Sequence, residues 1–265
     1  MLRYTSFDGL AKPSRDREGA DNTTGFDAVI GNPPYDVLEK DRKDANWPHV
    51  ALSSYVRSNL GYHDALGGKL NLFRFFLVRS MDLVAPSGAF GMIIPLAFLG
   101  DISCARTRRY IIRSLDHTVG DCFPQKDRPS RRVFRNAKLS TLVLTGTRRD
   151  PSTRTPESIE IRVYPWSIFS DRARTCSVSL LDAALLDEKN IPIPLVDQRD
   201  WDLCKRIHGA PDVAHFRNID GVSITRGEIN QTVYRKFITD DPNMKRLLKG
   251  VEVGRYQLHD TLSQG

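Results

Sequence analysis

Apolar positions along this chain follow two periods. Apolar runs at Phe26–Gly31 and Ala89–Pro95 predict buried strands, and His117–Phe123 and Leu139–Thr145 read as a third and a fourth strand. Between the first two, Leu70, Phe73, Leu77, Met81 and Val84 recur at three- and four-residue spacing. That period predicts a helix over 69–84, with Arg74 and Arg79 off the stripe and Pro86-Ser87-Gly88 as its stop. A short basic helix is predicted over 104–115. Strands alternating with helices define an α/β fold built on a doubly wound sheet.

The remaining stretches carry weaker periods. Residues 1–24 are polar and aperiodic and predict a loop or disordered arm. A charged loop containing Trp47 and His49 is expected from Tyr35 to Gly68. Residues 151–195 hold a strand near 159–164, a helix near 178–186 and then Pro192 and Pro194, which together suggest a connector. A helix is expected over 197–208. From His215 onward, short β segments are punctuated by Gly221, Gly227, Gly250 and Gly254.

Composition narrows the class. Apolar content of 40% and a mean hydropathy of −0.38 describe a soluble protein, with no run long enough for a membrane span and no signal-peptide pattern. Cys104, Cys122, Cys176 and Cys204 are widely spaced, which points to reduced thiols in the cytoplasm and to no metal site. The net charge is +7, and between Ala105 and Asp150 twelve Lys/Arg face four Asp and no Glu. Clustering of one sign on that scale favours a polyanion such as nucleic acid.

The stretch Phe26-Asp27-Ala28-Val29-Ile30-Gly31-Asn32-Pro33-Pro34-Tyr35 carries the candidate chemistry. Two prolines cannot extend a ladder, because neither has an N–H and each fixes φ near −65°. The strand therefore ends in a rigid turn that presents Asn32 and Tyr35 at its carboxyl end, where open α/β sheets bind ligands. Those residues suit a planar NH₂ group, whose delocalised lone pair makes it a poor nucleophile. The Asn32 side-chain oxygen and the Pro33 carbonyl can accept its two N–H bonds, and Tyr35 can stack on its flat ring. The plainer alternative is a strand followed by a Pro-Pro turn.

Phe-Asp-x-x-x-Gly-Asn-Pro-Pro-Tyr resembles the catalytic motif of S-adenosylmethionine-dependent amino-methyltransferases, most closely the adenine-N6 DNA methylases of type IIG restriction–modification systems (the TaqI type). The succession Asn71-Leu72-Phe73, helix, Ser87-Gly88, strand and Pro95 is similar to the same family, with Asn71 where that family has an acidic residue. The resemblance implies catalytic roles for Asn32, Pro33, Pro34 and Tyr35. It also implies base stacking by Tyr35 and Phe134, the latter in a Val-Phe pair ahead of the fourth strand. Arg128, Arg131, Arg132 and Arg135 are the candidates for DNA phosphates, which supply affinity and register. Thr225–Asn230 and the stretch from Leu247 to Tyr256 look like the opening of a target-recognition domain.

By this resemblance the fold is the C-terminal half of a Rossmann-like methyltransferase sheet with flanking helices, followed by the start of a mixed or β recognition domain. The implied division is an arm at 1–25, a partial catalytic domain at 26–150, a connector at 151–214 and a truncated recognition domain at 215–265. The implied cofactor is S-adenosylmethionine. Its glycine-rich turn and acidic ribose ligand are expected upstream of this chain, because nothing before Phe26 offers either. Expected partners are double-stranded DNA and an N-terminal complementing chain or segment, with no membrane. Two other readings stay open: a protein glutamine-N5 methyltransferase, which uses a similar motif on another planar NH₂, and a non-catalytic DNA-binding remnant or subunit of a split methylase.

Overall fold

The computed structural model describes residues 25–38, 49–152, 155–214, 218–223, 231, 233–245, 247–248, 253–254 and 257–258. Six strands form one sheet: β1 (Phe26–Gly31), β2 (Val84–Pro95), β3 (Leu115–Phe123), β4 (Thr141–Arg148), β5 (Ser158–Val163) and β6 (Arg174–Ser179). Their order is β1-β2-β4-β3-β5-β6. The pairs β1–β2 and β3–β5 are parallel, whereas β4 is antiparallel to both β2 and β3, and β6 is antiparallel to β5. Inserting β4 between β2 and β3 makes β1, β2, β3 and β5 run one way. Their carboxyl ends share one end of the sheet.

The helices are α1 (His49–Ser58), α2 (Leu72–Leu83), α3 (Ala105–Ser114), α4 (Leu180–Leu186) and α5 (Gln198–His208). On α2 the predicted stripe of Phe73, Leu77 and Met81 enters the main core with Phe90, Met92 and Ile94 of β2 and Leu142 and Leu144 of β4. A second face, Phe75 and Val78, packs with Leu38, Val56, Tyr62, Ala65 and Leu70. The long loop expected between Tyr35 and Gly68 is therefore partly helical. It contributes α1 and a 3₁₀ turn at Leu60–Ala65, because Val56, Tyr62 and Ala65 cover that second face. Trp47 lies outside the described residues.

Two arginines behave differently from the basic surface that the charge count suggests. Arg74, expected off the buried stripe, is fully buried and donates to the carbonyls of Gly67, Lys69 and Ser103. Arg108 is also fully buried and donates to Phe98, Asp101, Asn190 and Ile191 carbonyls, tying α3 to the 190–191 segment. Burial lowers Arg108 to about 10. A guanidinium has five donors in a planar fork, so a ring of backbone carbonyls can satisfy it inside the protein.

Ladder irregularities fall where the sequence has punctuation. Phe26 pairs with Val84 and Ala28 with Ala89, so the Pro86-Ser87-Gly88 stretch bulges out of the ladder, with Ser87 at φ 62°. A second shift lies between Asp116 and Val119, where His117 has φ 51° and Arg149 holds Asp116 at 3.0 Å. Residues 151–214, expected as a connector, supply β5 and β6 to the same sheet and α4 and α5, and bring Trp201 into the main core. The chain divides after Val213. In the second unit the described strands are β7 (Val253–Gly254) and β8 (Gln257–Leu258), which pair antiparallel. The expected recognition motif at Thr225–Asn230, and much of that at Leu247–Tyr256, lie outside the described residues.

The result is a mixed α/β fold with a multi-strand sheet and flanking helices. Among the described residues β1 pairs only with β2, which leaves its other side an edge. β1 is not the buried strand that its apolar run predicts: none of its residues is buried, and Phe26 (53% exposed) and Ile30 (81%) lie on a face that no described element covers. No described helix is long and apolar enough to cross a membrane. The four cysteines are free, three of them buried.

Candidate active site at the carboxyl end of β1

β1 stops at Gly31, and the next five residues, Asn32 to Asp36, have no regular structure. Gly31 pairs with Met92, whose side chain lies close against it: a Cβ at Gly31 would meet the Met92 sulfur at 3.0 Å. Asn32 is exposed, Pro33 is buried, and Pro34 and Tyr35 are half-buried. The turn therefore rests on its first proline and holds Asn32 out.

Tyr35 folds back across the end of β2, with its ring against the main core. Its hydroxyl lies 2.9 Å from Asn32 Oδ1 and 2.9 Å from the Ile93 carbonyl oxygen. A phenol has one hydrogen, so these two acceptors share a single donor. Burial pushes Tyr35 up to about 12 from its ordinary value of 10, which keeps it a donor at neutral pH. The Asn32 amide is thus oriented by its own motif: Oδ1 is aimed by Tyr35 and retains a lone pair for an incoming N–H.

The chain beyond the turn is clamped to the start of α2. Val37 bridges Asn71, the Leu72 N–H donates to the Asp36 carbonyl at 2.8 Å, and the Leu38 N–H donates to the Leu70 carbonyl at 2.9 Å. Asn71 is the N-cap of α2 and makes no side-chain capping bond. This places Asn71, at the position where the resembled family has an acidic residue, beside the segment that leaves Tyr35.

The basic loop between β3 and β4 rises from the same end of the sheet. It is held there by Leu96 N–H to the Ser140 carbonyl at 2.9 Å and by Ser140 Oγ to the Pro124 carbonyl at 2.8 Å. The four arginines expected at phosphates are not equivalent. Arg132 donates to the carbonyls of Lys126, Asp127 and Arg135 and so braces the loop from within. Arg131 lies over Trp166, its guanidinium carbon 4.2 Å from the ring centroid. Arg128 and Arg135 are exposed. Phe134 is half-buried in a turn closed by the Ala137 N–H to its carbonyl at 3.1 Å. A cavity of about 580 Å³ opens between this loop and the end of β2, lined by Leu96, Asp101, Lys126, Lys138 and Ile193 among others.

S-adenosylmethionine needs a glycine-rich turn opening into a helix N-terminus and a carboxylate for its ribose. The turn after β1 is Asn-Pro-Pro, that after β2 runs from Pro95 into a 3₁₀ turn at Leu96–Leu99, and that after β3 begins at Pro124. Asp121, near the carboxyl end of β3, is buried and accepts from the Tyr164 hydroxyl at 3.0 Å. The described residues do not fit that cofactor.

Two parts of this region carried too little signal to be found in the sequence. The Ile93 carbonyl is a backbone group, and the Trp166–Arg131 contact joins residues thirty-five apart with no motif to link them. An exposed Asn32 amide beside a half-buried aromatic at the carboxyl end of an α/β strand is a candidate functional site. Residues 5–118 match the Eco57I restriction-modification methylase family. The amino-terminal portion of the chain is thus similar to restriction–modification methyltransferases. The match includes Asn32–Tyr35 and ends before the basic loop.

Among solved structures, the chain is similar to the DrdV–DNA complex, with 19% identity over 53% of this chain and 15% of that one and a TM-score of 0.40. It is similar to the type IIG restriction endonuclease BpuSI, with 14% identity over 64% of this chain and 21% of that one and a TM-score of 0.43. It is also similar to the type I restriction-modification methyltransferase subunit from Streptococcus thermophilus, with 15% identity over 72% of this chain and 41% of that one and a TM-score of 0.46. The chain spans less than half the length of each.

Proposed function

We propose that this chain carries the amine-orienting and DNA-facing part of an adenine-N6 DNA methyltransferase of a restriction–modification system, with S-adenosylmethionine as methyl donor. The observation that carries the reading is the exposed Asn32 amide, aimed by the Tyr35 hydroxyl at the carboxyl end of β1. The target amino group cannot be reached within the base stack, so the adenine is rotated out of the duplex. Asn32 Oδ1 and the Pro33 carbonyl accept the two N6 hydrogens and draw the nitrogen toward a pyramidal, nucleophilic form. Tyr35 and Phe134 bound the ring on opposite faces. Lys and Arg of the loop between β3 and β4 hold the phosphates. That loop also favours DNA over a protein glutamine as the source of the NH₂ group, because a run of cations suits a polyanion.

The test is transfer of labelled methyl from S-adenosylmethionine to adenine-containing duplex DNA, with a complementing amino-terminal methyltransferase segment supplied. Asn32→Ala is expected to lower transfer by orders of magnitude and to leave DNA binding intact. Equal transfer by wild type and Asn32→Ala would overturn the assignment.

A further inference from the structure

The carboxyl ends of β3 and β5 carry a second surface that the amine site does not use. Tyr164 is buried, stacked on Phe123 at 5.0 Å and 13°, and donates to Asp121. Phe169 packs edge-on against both rings, at 5.4 and 5.3 Å. On this rigid base the chain turns outward and exposes three large apolar side chains within four residues: Trp166 at 42%, Ile168 at 65% and Phe169 at 62%. Three large apolar side chains exposed so close together along the chain make this segment a candidate binding surface.

Its surroundings decide the partner. The flanking segments 124–140 and 165–174 carry eight Lys/Arg against two Asp. One of those cations, Arg131, already sits over the Trp166 ring. Aromatic faces set in a cationic groove are the chemistry that binds unstacked nucleic acid, the bases on the rings and the phosphates on the cations. An apolar protein partner would not call for that charge.

We propose that Trp166 is a stacking platform for an unstacked base of the bound DNA, separate from the base held at Asn32. In the free protein Arg131 lies over the indole ring. A base stacks on an aromatic ring more strongly than an exposed guanidinium does, so the base displaces Arg131. The guanidinium then moves to the neighbouring phosphate. The ring and the cation thus serve adjacent parts of one nucleotide. This inference rests on the DNA reading above.

The full chain contains Trp47, Trp166 and the buried Trp201, so tryptophan emission can report on the platform. Titrating with single-stranded oligo-dT should quench emission, and an abasic oligomer of the same length should quench far less. Trp166→Ala should weaken oligo-dT binding by about five- to 160-fold, the effect of losing one base–aromatic stack. Binding of the abasic strand should hardly change. Trp166→Phe should keep most of the affinity and lose most of the quenching, which guards against a folding defect in the alanine variant. If both strands bind with a steep salt dependence and Trp166→Ala alters neither, the platform is wrong while the DNA reading stands. If neither strand nor duplex binds at low salt, the DNA reading falls and the platform with it. Self-association without DNA that Trp166→Ala abolishes would instead assign the patch to a second copy of the chain.

Discussion

Tyr35→Phe removes one oxygen and probes whether Asn32 is held by its own motif. The hydroxyl has two acceptors at 2.9 Å, Asn32 Oδ1 and the Ile93 carbonyl, and one proton to give. A hydrogen bond of this kind stabilises a folded protein by about 0.5–1.5 kcal/mol net. Urea denaturation of Tyr35→Phe should show a loss of that size, since the ring itself stays packed. How the loss divides between the two acceptors follows from a double-mutant cycle with Asn32→Ala. Donation to Asn32 gives a coupling that approaches the full loss, whereas donation to Ile93 gives none.

The same number sets the catalytic effect. If the bond is what keeps Asn32 aimed, its loss lowers methyl transfer by about two- to twelvefold. Tyr35→Ala should cost more, because it also removes the stacking face. Alkaline pH supplies a second readout. The folded value, about 12, lies above the ordinary 10, so the folded state holds this proton more tightly than the unfolded chain. The resulting stability is fully present below pH 10 and is lost as pH rises from 10 toward 12. Subtracting the melting curve of Tyr35→Phe from that of wild type should isolate this window. A Phe variant as stable as wild type, with no coupling to Asn32 and an unchanged alkaline limb, would refute the tether.

Four further outcomes are expected. Replacing Arg128 and Arg135 with Gln should reduce the log–log salt slope of DNA binding by about 0.9 for each phosphate no longer neutralised. Arg132→Gln should instead lower the melting temperature, because its guanidinium braces three loop carbonyls; a slope unchanged in the first variant would leave the loop a solvated face. Ile30→Lys should reduce self-association of the chain, since it places a charge on the exposed apolar edge of β1, and light scattering that does not change would show the edge to be innocuous. Calorimetric titration of this chain with S-adenosylmethionine should give weak or no binding, as the turns after β1, β2 and β3 lack a cradle for it. A saturable micromolar site would show that residues outside the described set supply one.

Much of the frame was legible along the chain. The stripe of Phe73, Leu77 and Met81 and the apolar runs of β1 to β4 are local patterns, set by the periods of helix and strand. The Pro33-Pro34 stop is likewise local, because a missing N–H ends a ladder whatever surrounds it. Those features alone placed Asn32 and Tyr35 at a strand end. What the tertiary structure decided were choices between equivalent partners. Arg74 and Arg108 look like surface charge in sequence, yet they are buried, because carbonyls distant along the chain converge on their guanidinium groups. Helix α1 was hidden because most of its apolar positions stay outside the core, and only Val56 is buried, in the cluster on the second face of α2. Strand β5 joins the sheet because its apolar Ile159 and Ile161 find β3 as a parallel neighbour, a pairing that no short-range signal specifies. The Tyr35 hydroxyl shows the division most plainly. Its ring was expected from the motif, but its bond to Ile93 depends on how closely β1 lies against β2, and only the assembled sheet sets that distance.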